Sequence, residues 1–169
     1  MDYEGLISLD RQLSEEHAAY LVAFTESRHM RRDPLGIVAT YPDPIREKAG
    51  LPLGVDAGYF VGGTTASEWN SPPPDWLVPP AGQPENWCSV ALSADSMGLE
   101  IAKQVSTKYV MEWLVYIIDH FLEPWGYIAN GQMKWWGSSM GDTGIIVVNN
   151  NKVSRMFGRV VYDIDYIWR

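Results

Sequence analysis

Residues 127–153 read YIANGQMKWWGSSMGDTGIIVVNNNKV, and this stretch decides the fold. Tyr127 to Trp136 and Gly144 to Val148 are apolar, β-branched and aromatic, as strands are, while Gly137 to Thr143 between them is built of turn formers. The two runs are expected to pair antiparallel. Asn149-Asn150-Asn151 supplies residues that tolerate positive φ, so Lys152 to Tyr162 is expected to return as a further strand. Tyr166, Ile167 and Trp168 read as its continuation or as one more short strand. Trp135 and Trp136, neighbours in a strand, must point to opposite faces.

Upstream, Val110, Trp113, Leu114, Ile117, Ile118 and Phe121 recur at helical spacing and write the longest helix, capped by Ser106 or Thr107 and stopped by Pro124. Its apolar stripe is wide enough to lie across a sheet and leaves Lys108, Glu112 and Asp119 toward solvent. Before it, Trp87 to Leu92, with Cys88, Val90 and Leu92 on one face, and Leu99 to Lys103 flank the turn Asp95-Ser96-Met97-Gly98 and predict a hairpin. At the N-terminus, Leu6 to Leu9 reads as a short edge strand. Ser14 caps a helix whose Glu15 and Glu16 meet the positive end of the dipole and whose Leu21 and Phe24 face the core. That helix is expected to run through Arg28, His29, Arg31 and Arg32 to Asp33-Pro34. Asp43, Pro44 and Gly50 bracket a second, short helix. Gly58 to Val61 reads as a strand. Thr64 to Asn86 carries Pro72, Pro73, Pro74, Pro79, Pro80 and Pro84, which excludes a regular helix or central strand and predicts a long Pro-rich loop. The sum is a single α+β domain over residues 1–169: an antiparallel sheet of about five or six strands with the long helix and the N-terminal helix packed on one face.

The chain has 169 residues, with 13 Lys+Arg against 21 Asp+Glu and a net charge of −8, which disfavours duplex nucleic acid and anionic membranes as partners. With 46% hydrophobic and 20% charged residues it has the composition of a globular protein. Cys88 is the single cysteine, so neither an internal disulfide nor a thiolate zinc cage is expected. The acidic start Met1-Asp2-Tyr3-Glu4-Gly5 lacks the basic and apolar regions of a secretory leader, so the expected location is the cytoplasm. The most apolar run, Tyr109 to Leu122, holds Glu112, Asp119 and His120 and is too short to span a bilayer. The outlying count is eight Trp in so short a chain.

Three blocks carry a resemblance. They are Leu9-Asp10-Arg11-x-Leu13 with Tyr20-Leu21-x-x-Phe24 and Arg31-Arg32-Asp33-Pro34; Pro79-Pro80-Ala81-Gly82-Gln83-Pro84 with Trp87-Cys88; and Phe121-Leu122-x-Pro124 and Gly131-x-Met133-x-Trp135-x-Gly137 with Asp142-x-Gly144-x-Ile146-x-Val148 and Asn151-x-Val153. On them the chain resembles an uncharacterised family of small bacterial and phage proteins of unknown function. The blocks cover roughly half of the chain, and the last is the most specific. Val90 stands where a second Trp is expected, and the aromatic C-terminus is elongated. The resemblance implies one compact domain of bacterial or phage type and transfers no catalytic residue.

His17, His29 and His120 share no metal-ligand spacing with one another or with Cys88, so no metal and no cofactor is expected. His120 beside Asp119 is the best general-base candidate, although a helix-surface histidine is the ordinary reading. Cys88 in a strand is ordinarily a buried small hydrophobe. Gly62-Gly63-Thr64-Thr65 lacks the Lys and second glycine of a P-loop, and Asp142-Thr143-Gly144, although it matches an aspartic-protease triplet, is better explained as a hairpin turn. Asp163 and Asp165 share a strand face that can bind a cation but is more often solvated. What survives is aromatic: Trp69, Trp76, Trp87, Trp135 and Trp136, bordered by Arg28, Arg31 and Arg32, form the candidate binding site, against the plainer reading of core packing and a dipole-stabilised helix end. The leading expectation is a non-enzymatic binding protein, a phage or mobile-element accessory factor that inhibits or sequesters a host defence component by protein–protein contact. The alternative is a nucleotide-like or other small ligand stacked between Trp faces, with the arginines on a phosphate. A small enzyme, with His120, Asp142 and Cys88 as its best candidates, ranks third.

Overall fold

A computed structural model describes residues 2–31, 44–51, 77–103, 107–139, 141–159 and 161, and every structural statement here concerns those residues. Six strands, β1 (Asp2–Leu9), β2 (Val90–Leu92), β3 (Gly98–Ile101), β4 (Ala129–Trp136), β5 (Thr143–Asn149) and β6 (Lys152–Phe157), form one open antiparallel sheet in the order β2-β3-β1-β4-β5-β6. The stretch 127–153 folds as its composition requires. β4 and β5 pair with Trp135 opposite Gly144, and the chain turns into β6 through Asn150 and Asn151 at φ 48° and 67°. The Asn151 side chain closes the turn, accepting from the Ala129 N–H at 2.7 Å and donating to the Tyr127 carbonyl at 3.0 Å. β6 ends at Phe157, short of the expected Tyr162. The expected strand at Gly58 to Val61 and the segment Tyr166 to Trp168 lie outside the described residues.

The N-terminal strand differs most from its reading. Leu6 to Leu9, expected at an edge, is the second half of an eight-residue strand lying between β3 and β4. Its first half, Asp2-Tyr3-Glu4-Gly5, is polar enough to read as a tail. Yet every residue from Asp2 to Leu9 is paired with β4, because the ladder is made by backbone groups that are indifferent to side-chain polarity. Gly5 (φ 134°) and Gly131 (φ 148°) let the two strands close on each other, for a Cβ at either would run into the backbone opposite.

Helix α1 (Glu15–Glu26) starts as expected, with the Ser14 hydroxyl accepting from the His17 N–H at 3.3 Å. It stops well before Asp33-Pro34. Ser27 is extended, and the backbone N–H groups of the next residues find partners elsewhere: His29 on the Asn86 carbonyl and Arg31 on the Val78 carbonyl, both at 2.7 Å. Arg28, His29 and Arg31 therefore lie beyond the helix rather than at its C-terminal end. Helix α2 (Pro44–Lys48) is followed by Gly50 at φ 69°, the expected stop. Helix α3 (Val110–Ile117) is preceded by Tyr109 in the left-handed conformation without a side-chain cap; of the two expected caps, Thr107 precedes this position and Ser106 lies outside the described residues. It continues as a π-helical turn over Ile118–Leu122, marked by the Glu123 N–H to Ile118 carbonyl bond at 2.8 Å.

The core lies on one face of the sheet. Tyr20, Leu21 and Phe24 of α1 and Trp113, Leu114 and Ile117 of α3 join Ile7, Leu99, Met133 and Ile146 of the strands in one buried cluster. Each large apolar side chain so buried contributes about 1.5–3 kcal/mol. Helix α3 approaches both edge strands, β2 and β6, so it crosses the strand direction. Lys108, Glu112 and Asp119 are exposed, as its stripe predicts. Among the described residues no helix is long and apolar enough to cross a membrane.

Candidate functional site

Two of the candidate residues, Trp87 and Arg28, come together, and a buried polar clamp is what joins them. The clamp begins where α1 ends. His29 donates its backbone N–H to Asn86, and the Asn86 side-chain amide donates back to the His29 carbonyl at 2.6 Å. The His29 ring is fully buried between Phe24 and Trp113, with centroids at 4.3 and 5.2 Å. Its Nε2 lies 2.7 Å from the Phe24 carbonyl, which only accepts, so Nε2 carries the proton. Burial holds the imidazole neutral, pushing its pKa down to about 4. Gln83 sits alongside and donates to the Tyr116 hydroxyl at 3.0 Å. The Pro-rich block ending in Trp87-Cys88 thus works partly as architecture, because Gln83 and Asn86 fasten residues 28–31 to the body.

Fixed this way, the Arg28 guanidinium lies 5.9 Å from the centroid of the Trp87 indole, which is 38% exposed. Burial lowers the Arg28 pKa while the Glu85 carboxylate opposes that shift. Beside the pair a cleft of about 950 Å³ opens along edge strand β2. Leu92 and Ile101 line it together with the carboxylates of Glu26, Glu85 and Glu100 and the ammonium groups of Lys103 and Lys108. An aromatic anchor, apolar ground and charges of both signs suit a polypeptide segment. They suit a phosphate less well, since three carboxylates face it.

The remaining candidates go elsewhere. Trp135 is buried in the core, its indole lying over Gly144 where a Cβ would collide with it, and the Phe157 ring meets it edge-on at 6.0 Å. Trp136, 42% exposed, is on the opposite face of the sheet. Arg31 is exposed and tied through its backbone to Val78. Trp69, Trp76 and Arg32 lie outside the described residues.

The groups weighed for catalysis are otherwise engaged. The Cys88 thiol is buried against the Val90 carbonyl at 3.1 Å, and burial pushes its pKa up to about 12. His120 packs on the Tyr116 ring at 4.2 Å. Asp142 closes the β4–β5 turn, its carbonyl accepting from the Gly137 N–H at 2.6 Å. No group of three or more His, Cys, Asp or Glu among the described residues is arranged to hold a metal.

One cluster joins aromatic residues to partners that the sequence did not connect with them. His17 stacks on Trp125 at 4.1 Å, its Nδ1 lies 3.1 Å from the Tyr127 hydroxyl, and Arg11 covers the Tyr127 ring at 4.3 Å. Trp125 in turn donates to the Ala49 carbonyl at 3.1 Å, tying the end of α2 to the body. Arg11 and His17 come from the start of the chain and Trp125 and Tyr127 from after the long helix, so no local spacing links the two pairs. No family model, curated protein or solved structure matches the chain.

Proposed function

We propose that this protein is a non-enzymatic binding protein acting in the cytoplasm through protein–protein contact, with the Trp87–Arg28 cleft as its docking point. The observation that carries the reading is the partly exposed Trp87, held against Arg28 and lining a mixed-charge cleft along a sheet edge. Trp and Arg are the residue types that most often anchor interfaces, and an edge strand offers backbone groups to an extended partner segment. In keeping with the small bacterial and phage proteins that the chain resembles, the partner is a host component, such as a defence factor, that this protein inhibits or sequesters. The nucleotide reading is the weaker one, since Arg28 already occupies one Trp87 face and Glu26, Glu85 and Glu100 repel phosphate.

The test is affinity capture from host lysate with the full chain, beside Trp87→Ala and Glu85→Lys. One stoichiometric protein retained by the native chain and lost from both variants, at unchanged circular dichroism, is the expected result. Capture indifferent to both changes would refute the docking point. A nucleotide or other small molecule released on denaturation and identified by mass spectrometry would replace the reading.

A further inference from the structure

We propose that edge strand β6 takes up an extended acidic polypeptide segment as a seventh strand of the sheet. β6 ends the strand order, and its ladder with β5 fixes which of its backbone groups are left over. The Gly158 N–H donates to the Thr143 carbonyl at 2.7 Å, so in the antiparallel alternation Met156 and Ser154 are the next residues bonded to β5. The N–H and carbonyl groups of Val153, Arg155 and Phe157 therefore point away from β5, and no strand among the described residues lies beyond them. Every residue from Ser154 to Arg159 is exposed. Such an edge is a template for one more strand.

The side chains select the partner. From Ala129 to Arg159, across β4, β5 and β6, the sequence holds Lys134, Lys152, Arg155 and Arg159 against the single carboxylate of Asp142, in a chain whose net charge is −8. Among the described residues neither Lys152 nor Arg155 forms an ion pair. Phe157 is 74% exposed with the Arg155 guanidinium 4.8 Å from its ring centroid, and Met156, on the other face of the strand, is 54% exposed. Charge on an edge strand ordinarily deters pairing. Here all of it is positive and stands beside exposed Phe157 and Met156, so it deters cationic partners and admits anionic ones. A second copy of β6 is a cationic partner: pairing about a two-fold axis sets Lys152, Arg155 and Arg159 against the same three residues, and like charges across a ladder repel. The segment that fits places a carboxylate opposite Arg155 and an apolar side chain opposite Met156, an alternation of acidic and apolar residues. Nucleic acid fits less well, because it has no strand-like row of donors and acceptors to offer the edge. This edge is the opposite one from the Trp87 cleft, so the proposal stands independently of that docking point.

The probe is a short synthetic peptide alternating Glu and Val, added to the full chain and followed by fluorescence anisotropy and by amide hydrogen exchange in NMR. The expected result is saturable binding whose Kd rises at least about tenfold in Lys152→Glu with Arg155→Glu, at unchanged circular dichroism. The amides of Val153, Arg155 and Phe157 should exchange fast in the free chain and slowly once the peptide is added, while those of Ser154 and Met156, already bonded to β5, do not change. Absence of binding overturns the proposal. So does equal binding of a Lys–Val peptide, or of a Glu–Val peptide N-methylated at every residue, which keeps its charge but has no N–H to pair. Slow exchange of Val153, Arg155 and Phe157 in the free chain also overturns it, because another part of the chain would then already hold the edge. A single-stranded oligonucleotide that displaces the peptide would overturn it in favour of nucleic acid.

Discussion

Burial decides the behaviour of the three histidines. His17, His29 and His120 all have pKa values lowered by desolvation, but only His29 is fully enclosed, at about 4. Unfolded, its imidazole titrates near 6.5, so between about pH 6.5 and 4 the unfolded chain binds a proton that the folded chain refuses. Stability conferred by the neutral ring is therefore complete above pH 6.5, falls as pH drops through that window and levels off below 4, a loss of about 3 kcal/mol. Urea denaturation at stepped pH should show this slope in the native protein and its flattening in His29→Gln. Equal slopes in the two would mean that the ring is not held neutral. The carboxyl pKa values of Asp10 and Asp95 are lowered too, but by hydrogen bonds that favour their charged form, from the Ile128 N–H and the Ser93 hydroxyl respectively, so what they confer is present above the usual carboxylate range and lost as pH falls below it.

The elements show where local rules were overruled. Tyr109 precedes α3 at φ 58°, ψ 30°, a conformation that costs a non-glycine residue about 1–2 kcal/mol. The helix begins there although no side chain caps it, because starting at Val110 is what sets Val110, Trp113, Leu114 and Ile117 into the core. Tyr109 is itself 46% exposed, so Tyr109→Gly should relieve the strain and raise stability by up to about 1 kcal/mol, the entropy of glycine offsetting the rest. Differential scanning calorimetry would show the higher midpoint, and an unchanged or lower one would mean that the Tyr109 side chain contributes more than its backbone costs. The same competition ends α1 at Glu26. Helical propensity favours carrying on through Arg28 to Arg31, but the bonds from His29 and Arg31 to Asn86 and Val78 are available only once residues 78–86 have packed down. Conversely, the ends that followed their sequence signals, Ser14 and Gly50, are those whose capping is local.

On the scale of the whole molecule, charge and faces govern. A net charge of −8 predicts no measurable binding to duplex DNA at physiological salt, which fluorescence anisotropy with a labelled duplex would check; tight, salt-sensitive binding would show that the 13 basic residues are gathered into a patch. Composition and periodicity were sufficient for the α+β class, the β4–β5–β6 meander, the β2–β3 hairpin and the core stripe of α3, since each rests on contacts between residues near in sequence. The central place of β1 was not legible, because a polar strand is recruited by backbone bonding to a strand that comes more than a hundred residues later. Nor was the sorting of the tryptophans. Alternation required Trp135 and Trp136 to part, but which of them entered the core depended on Gly144 leaving room for one indole and on the face that α3 covers. Trp87 and Arg28 likewise became neighbours only through Asn86 and Gln83. Sequence by itself determined what is written in local periods and caps; tertiary structure alone decided what depends on long-range backbone pairing and on which face is buried, because those energies exist only when distant segments meet.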